Sequence, residues 1–317
     1  MGYSGVVEDN YTKAVIEPFE KKYPNIKVNY VPGESASQML GELRSQKGDP
    51  SADIALFDIS VAGTGNKEGI FQPLDPAKVP NMADIDPRGQ VKGNFGPAAT
   101  FDNLVLLYNT EKVTKKPTSW NALWGKNVAG NVVIDAPPDL QGNSLTIITD
   151  KMEGADYKDT IKPAVKRLAE LAPSVDTWKP NPDPYTMITN GSASMGIGWN
   201  ARAQFYAEES DGKLGVAIPD EGSVFQTNSI NLIKGSDSPE AAQTFINHAL
   251  SPEAQESFAE QMYYAPTNTK AKVSEAVADR TATSPERLAN IIDVDWTYVA
   301  AHNDEWTDIW RREILSR

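Results

Sequence analysis

Arg202 is the side chain whose surroundings most directly suggest chemistry. It lies in the window MGIGWNARAQFY, residues 195–206, behind an apolar run and two glycines. Residues 193–197 read as a buried strand and residues 201–208 as the opening of a helix, with Asn200 placed as its N-cap. Arg202 is then a cation in the first turn of a helix whose N-terminus already carries about half a positive charge. Such a position attracts an anion, which is either a bound one or one of the chain's own surface carboxylates. The guanidinium offers a planar, two-pronged donor to a carboxylate or phosphonate.

Carboxylates recur where predicted strands stop. In SADIALFDIS the buried strand 54–57 runs into Asp58 and then Ser60, and the strand 131–134 runs into Asp135 before a Pro-Pro turn. These segments alternate with helical patterns. A helix starts at Glu8 and breaks at Tyr23-Pro24-Asn25 before an alternating strand over 26–30, and a second helix covers 37–45. Further on come an apolar strand over 104–108, a short helix capped by Ser119, and an amphipathic helix over 159–171 stopped by Pro173. The remainder, SPEAAQTFINHAL onward, is helical. Such alternation signals an α/β fold with a largely parallel sheet, and ligands of such sheets gather at the carboxyl ends of the strands.

Length and composition bound the function. A chain of 317 residues with 40% hydrophobic and 23% charged residues suits two packed lobes and not a disordered chain. No apolar run reaches the roughly 18 residues of a membrane span. A net charge of −13 argues against a nucleic-acid partner, and the absence of cysteine removes disulfides and thiolate chemistry. The two histidines, His248 and His302, fall in or near helical patterns and read as structural. GYSG, residues 2–5, is not the G-x-S-x-G nucleophile elbow and has no strand before it. Either a first strand has been trimmed away or residues 1–3 are its remnant. No histidine follows a strand, so a hydrolase has no evident base.

Several windows together resemble the extracellular solute-binding proteins of ABC transporters, type II, in the cluster that includes polyamine, ferric-iron and 4-aminobutyrate binders. They are GYSG before the first helix, ADIALFD, LVLLYNTEKV followed by PTSWNALW, IPDEGSVFQTNSINLIKG, and the tail SPEAAQTFINHALSPEAQESFAEQMYYAPTN. Their order spans Gly2 to about Asn268. The resemblance implies a two-lobed α/β periplasmic-binding-protein fold, each lobe a mostly parallel sheet flanked by helices. A two-strand hinge is expected to cross near residues 107–109 and 226–230, dividing the chain into 1–107 plus 229–317 and 108–228. It also implies a periplasmic monomer whose signal peptide is absent from this chain, with a small-molecule ligand, a membrane permease as partner and no cofactor.

On this resemblance the ligand contacts are Ser4, Asp58, Ser60, Phe101, Asp102, Trp199, Arg202 and Gln226. Asp58 and Asp102 supply acceptors for an ammonium, and Phe101 and Trp199 supply ring faces worth about 0.5 to 2 kcal/mol to a cation. Each has a plainer role open to it: Phe101 and Trp199 as core, Asp102 as a turn cap, Asp58 on local amides, Gln226 in the hinge. The set suits a small amine or zwitterion such as 4-aminobutyrate, with a polyamine, an organic acid or an aminophosphonate as alternatives. The ferric-iron members use adjacent tyrosines where this chain has Phe205-Tyr206, and phenylalanine ligates no metal, so a metal site is not expected. Tyr263-Tyr264 reads as packing.

Overall fold

The computed structural model describes residues 1–316. Its strands, in chain order, are β1 (Gly2–Tyr3), β2 (Pro32–Gly33), β3 (Ile54–Asp58), β4 (Phe71–Gln72), β5 (Ala98–Asn109), β6 (Val132–Val133), β7 (Val175–Thr177), β8 (Met195–Trp199), β9 (Leu214–Ala217) and β10 (Phe225–Ile233). The helices used below are α1 (Ala36–Ser45), α2 (Ile59–Lys67), α3 (Leu140–Met152), α4 (Lys162–Leu171), α5 (Pro184–Thr189), α6 (Asn200–Glu209), α7 (Pro239–Ala249), α8 (Pro252–Met262) and α9 (Trp296–Trp310). A continuous helical run over residues 6–22 precedes β2.

The chain divides into two compact units, one of Met1–Phe101 with Gln226–Asp279, the other of Asp102–Phe225 with Arg280–Arg317. The boundaries differ from the expected 107/108 and 228/229, and a third crossing at 279/280 places the C-terminal segment in the second unit. Its side chains account for this. Trp306, Trp310 and Ile314 are buried in the same apolar cluster as Leu145, Leu168 and Trp120. The Trp310 indole stands edge-on to Trp178 at 5.4 Å and donates to the Thr146 hydroxyl at 3.0 Å.

In the first unit β3 pairs antiparallel with β10, which also carries β4, while β1 runs parallel to β2. The helical run over 6–22 packs Phe19 edge-to-face on Phe245 of α7 at 5.0 Å and Tyr11 on Phe258 of α8 at 5.1 Å. Residues 26–30, expected as a strand, lie outside any strand. In the second unit β8 pairs parallel with β6 and antiparallel with β5, β6 pairs parallel with β7, and β9 pairs antiparallel with β5. Both units are therefore mixed rather than mostly parallel, because the long strands β5 and β10 run against the αβ strands they pair with. All twelve residues of β5 are buried, which is why it reads as a near-continuous apolar run. Glycines let the second unit close: a Cβ on Gly198 would sit 2.7 Å from the Tyr185 ring and 2.8 Å from Leu107.

All seven tryptophans of the chain lie in the second unit, so indole fluorescence reports on that unit alone. Trp310→Ala is expected to cost it about 3 to 5 kcal/mol, seen as unfolding at lower denaturant by fluorescence. A variant that unfolds like the wild type would show the C-terminal segment to be peripheral to that core.

Candidate functional site

The eight expected contact residues fall into two sets, Ser4, Asp58, Ser60, Phe101 and Gln226 in the first unit, and Asp102, Trp199 and Arg202 in the second. In the first unit β3 delivers Asp58 to the start of α2, where the carboxylate becomes the helix N-cap. It accepts from the Ser60 amide (2.9 Å), the Ser60 hydroxyl (2.5 Å) and the Val61 amide (3.3 Å). Burial raises its pKa against the pull of those donors. Asp58 thus does on local amides the plainer of its two expected tasks. The Tyr3 hydroxyl accepts from the Asp58 amide at 3.1 Å and lies 3.4 Å from the Asn228 side-chain oxygen. Asn228 stands opposite Asp58 in the ladder and donates to the Thr100 hydroxyl at 3.1 Å. Ser4, exposed, follows β1 with its amide on Gly33. Tyr3, Asn228 and Thr100 were missed from the sequence, since each reads there as an ordinary strand residue.

Phe101 is 2% exposed, pairs by its backbone with Ala265 and packs its ring over Gly89, so close that a Cβ there would lie 3.3 Å from the ring tip. It is a core residue and not a ring face for a ligand. Gln226 is half-buried at the start of β10, immediately after a crossing between units.

The second unit gathers more chemistry. Because β6 and β8 are parallel neighbours, paired Val132 to Met195 and Val133 to Gly196, their carboxyl ends open on the same side. Three helices begin there, and each has a carboxylate on its first amides. Asp139 caps α3 through the Gln141 amide (2.8 Å), and Asp183 caps α5 through the Thr186 amide (2.8 Å). For α6 the cap comes from another strand: Asp102 of β5 accepts from the Ala201 amide at 3.0 Å. Asn200, expected as the N-cap, is instead the first helical residue, buried, and accepts from Gln204 at 3.0 Å. Asp102 is therefore occupied in holding α6, and the ligand role expected of it gives way to a capping one.

Trp199 is half-buried at the end of β8, its amide donating to the Tyr185 hydroxyl at 2.7 Å. Arg202 is exposed, with its guanidinium 6.0 Å from the centre of the Tyr185 ring, and Tyr206 stacks on that ring at 5.4 Å. Part of the anion that the Arg202 position calls for is supplied within the protein, since its charge acts on the Asp102 carboxylate. Asp135 is the acid at this end whose carboxylate caps no helix. Its nearest donor is the Gln141 side-chain amide at 3.5 Å, and burial with the charges of Asp139 and Asp183 pushes its pKa up to about 6. Gln141 is 8% exposed and its side-chain oxygen has no hydrogen-bond partner. Asp135 and Gln141 thus offer two acceptors awaiting a donor, and Arg202 offers donors on the neighbouring strand end. The acid after strand 131–134 was the visible signal for Asp135; the orphaned oxygen of Gln141 had none. No group of three or more His, Cys, Asp or Glu suited to a metal occurs among the described residues.

Burial pushes the Asp102 carboxyl up to about 7 from 3.8, opposed by the amides and by Arg202. Between those values the folded protein keeps a proton that the unfolded chain releases, so this group's stabilisation is full below about 3.8, declines as pH rises, and is gone above about 7. Asp102→Ala is expected to lose about 0.5 to 2 kcal/mol with the cap and to flatten the decline in melting temperature between pH 5 and 8. A variant with wild-type stability and an unchanged pH slope would contradict the capping role.

The description "bacterial extracellular solute-binding protein" matches residues 14–285 of the chain. A gamma-aminobutyric acid-binding protein of Pseudomonas aeruginosa is 25% identical over 96% of this chain and 87% of its own. The spermidine/putrescine-binding periplasmic protein of Escherichia coli is 26% identical over 83% of this chain and 77% of its own. Among solved structures, that of an ABC transporter from Clostridium perfringens superposes with a TM-score of 0.80 at 26% identity, covering 99% of this chain and 98% of the other. The chain thus belongs to the bacterial extracellular solute-binding proteins, binding components rather than enzymes, which serve a small-molecule ligand and a membrane permease in ABC transport.

Proposed function

We propose that the protein captures a small zwitterionic amine of the 4-aminobutyrate type, with Arg202 on its carboxylate and Asp135 with Gln141 on its ammonium. The observation that carries this reading is the pairing of a cationic and an anionic group at the carboxyl ends of adjacent parallel strands, β8 and β6. Continuing the ladder from Val133 and Gly196 sets Asp135 level with Gly198, and Arg202 follows one turn into α6. An ammonium at Asp135 gives the orphaned Gln141 oxygen the donor it lacks and restores the ionised form of the carboxyl. The 25% identical relative named for gamma-aminobutyric acid supports the class.

A diamine is the second reading, favoured by the three carboxylates Asp135, Asp139 and Asp183 at this end and by the relative named for spermidine and putrescine. It ranks lower because Asp139 and Asp183 are engaged as caps and because Arg202 would meet a polycation with no anion to bind. An organic acid or aminophosphonate would satisfy Arg202 and leave Asp135 without a partner unless it also carries an amine. The protein is proposed to act as a monomer.

Titration calorimetry with 4-aminobutyrate tests the reading. Arg202→Ala should weaken binding at least about tenfold, or about 1.4 kcal/mol, with Arg202→Lys recovering part of it, since a point charge cannot replace the fork. Putrescine should bind more weakly than 4-aminobutyrate. Tighter putrescine binding, unchanged in Arg202→Ala, would establish the diamine instead.

The pKa of Asp135 adds a pH dependence. Binding an ammonium favours the carboxylate, so near pH 6 complex formation should release protons, and affinity should fall as pH drops below about 6. Calorimetry in buffers of different ionisation enthalpy should detect the release at pH 6 and its loss in Asp135→Asn. Equal apparent enthalpies in all buffers at that pH would remove Asp135 from the site.

A further inference from the structure

The two sides of α6 meet different partners. Four residues turn a helix by about 400°, so Asn200, Gln204 and Glu208 follow one stripe, and Arg202 with Tyr206 stands nearly opposite. The Arg202 side faces the Tyr185 ring. The other side meets Arg280, the residue with which the chain re-enters the second unit after the crossing at 279/280. The Arg280 Nε donates to the Gln204 side-chain oxygen at 2.9 Å, Nη2 to the Gln204 backbone carbonyl at 3.4 Å, and Nη1 to the Glu208 carboxylate at 2.6 Å. In return the Gln204 side-chain nitrogen donates to the Arg280 carbonyl at 3.2 Å and to the Asn200 side-chain oxygen at 3.0 Å. Both N–H groups and the carbonyl of this side-chain amide are thus engaged, and Gln204 is 7% exposed.

Arg280 is itself held firmly. Thr281 and Ala282, which follow it, are fully buried, and the Thr281 carbonyl accepts from the Arg287 guanidinium at 2.8 Å. The helix it grips is less firmly set by packing. The buried apolar side chains of α6 are Ala201 and Ala203, which cover little surface and so leave rotation about the helix axis weakly determined. Asp102 fixes the first turn alone. The bonds from Arg280, one and two turns further on, supply the constraint that packing does not.

We infer that Arg280 is a positioning residue for ligand binding: by gripping Gln204 it sets the rotation of α6 and so holds Arg202 beside Tyr185. This rests on the assignment of Arg202 to the ligand carboxylate. Arg280 lies on the far side of α6 and acts through Arg202. Its fork is what the task needs, because Nε and Nη1 serve Gln204 and Glu208 at once, which a lysine ammonium does not reproduce. The bond to buried Gln204 carries the effect. Glu208 is 52% exposed, and an ion pair in such a setting contributes little.

Two readouts separate this role from the ligand assignment. In the ligand-free protein, nuclear Overhauser contacts between the Arg202 side chain and the Tyr185 ring are expected to be lost in Arg280→Lys and in Gln204→Met, which keeps the side chain's length without its hydrogen bonds. They should persist in Glu208→Gln. Contacts that survive in both Arg280→Lys and Gln204→Met would overturn the inference, whatever the ligand. With 4-aminobutyrate, calorimetry should show Arg280→Lys weakening binding about three- to tenfold. In the double variant with Arg202→Ala it should add nothing to the loss from Arg202→Ala alone, since the two residues act in series. Losses that multiply in the double variant would make Arg280 an independent contributor and overturn its positioning role. Wild-type protein that fails to bind 4-aminobutyrate would contradict the ligand assignment alone, and the Overhauser contacts would still decide the role of Arg280.

Discussion

A buried carboxylate has to be met by donors, and at Asp102 the donors are the amides that begin α6. That one contact joins the long strand β5 to the helix following β8 and sets where the helix starts. With the start fixed at Asn200, Arg202 falls in the first turn, at the carboxyl end of the sheet, beside the face of Tyr185. The Tyr185 hydroxyl in turn holds the Trp199 amide, and Gly198 makes room for the ring. Moving the helix start by one residue would rotate Arg202 by about 100° away from this surface. The candidate binding cation is therefore positioned by a buried carboxyl group from a different strand.

The same logic sorts the acids around it. Three helices open at this end of the second unit, and the half-charge at each N-terminus is answered by one carboxylate: Asp139 for α3, Asp183 for α5 and Asp102 for α6. Those three are committed to backbone amides. Asp135 is not, and its raised pKa records the cost of holding a carboxyl near two other acids without a strong donor. Four aspartates that look alike in composition thus separate into three structural caps and one acceptor suited to an ammonium.

Much of this was legible in the sequence. The apolar runs at β3, β5 and β8, the caps at Ser119 and the helical tail all follow from periodicity and turn chemistry, and the prominence of Asp58 and Asp135 followed from their place after strands. What failed were readings that depend on partners distant in the chain. Asn200 has the right residue type for an N-cap, yet Asp102, nearly a hundred residues earlier, takes the position. Residues 26–30 alternate as a strand does, but alternation supplies only one side of a ladder, and no strand among the described residues pairs with them. Phe101 was assigned to the ligand by resemblance, whereas the strand β5 starts earlier than its apolar run suggests and draws the ring into the core. The C-terminal segment was assigned by resemblance to the first unit, and the pocket that Trp306 and Trp310 fill is built from α3, α4 and the loops around them, which no local pattern records.

The central claim is that one ligand is held by its two ends, its anion at Arg202 and its cation at Asp135 with Gln141. Dissociation constants for 4-aminobutyrate, butyrate and n-butylamine, measured side by side by the quenching of indole fluorescence in the second unit, address it most directly. Each charged group of the ligand contributes about 1.5 to 3 kcal/mol through a charged hydrogen bond. Both truncated compounds should therefore bind at least about tenfold more weakly than the parent. If n-butylamine binds as tightly as 4-aminobutyrate, Arg202 contributes nothing to recognition and the two-ended site is contradicted.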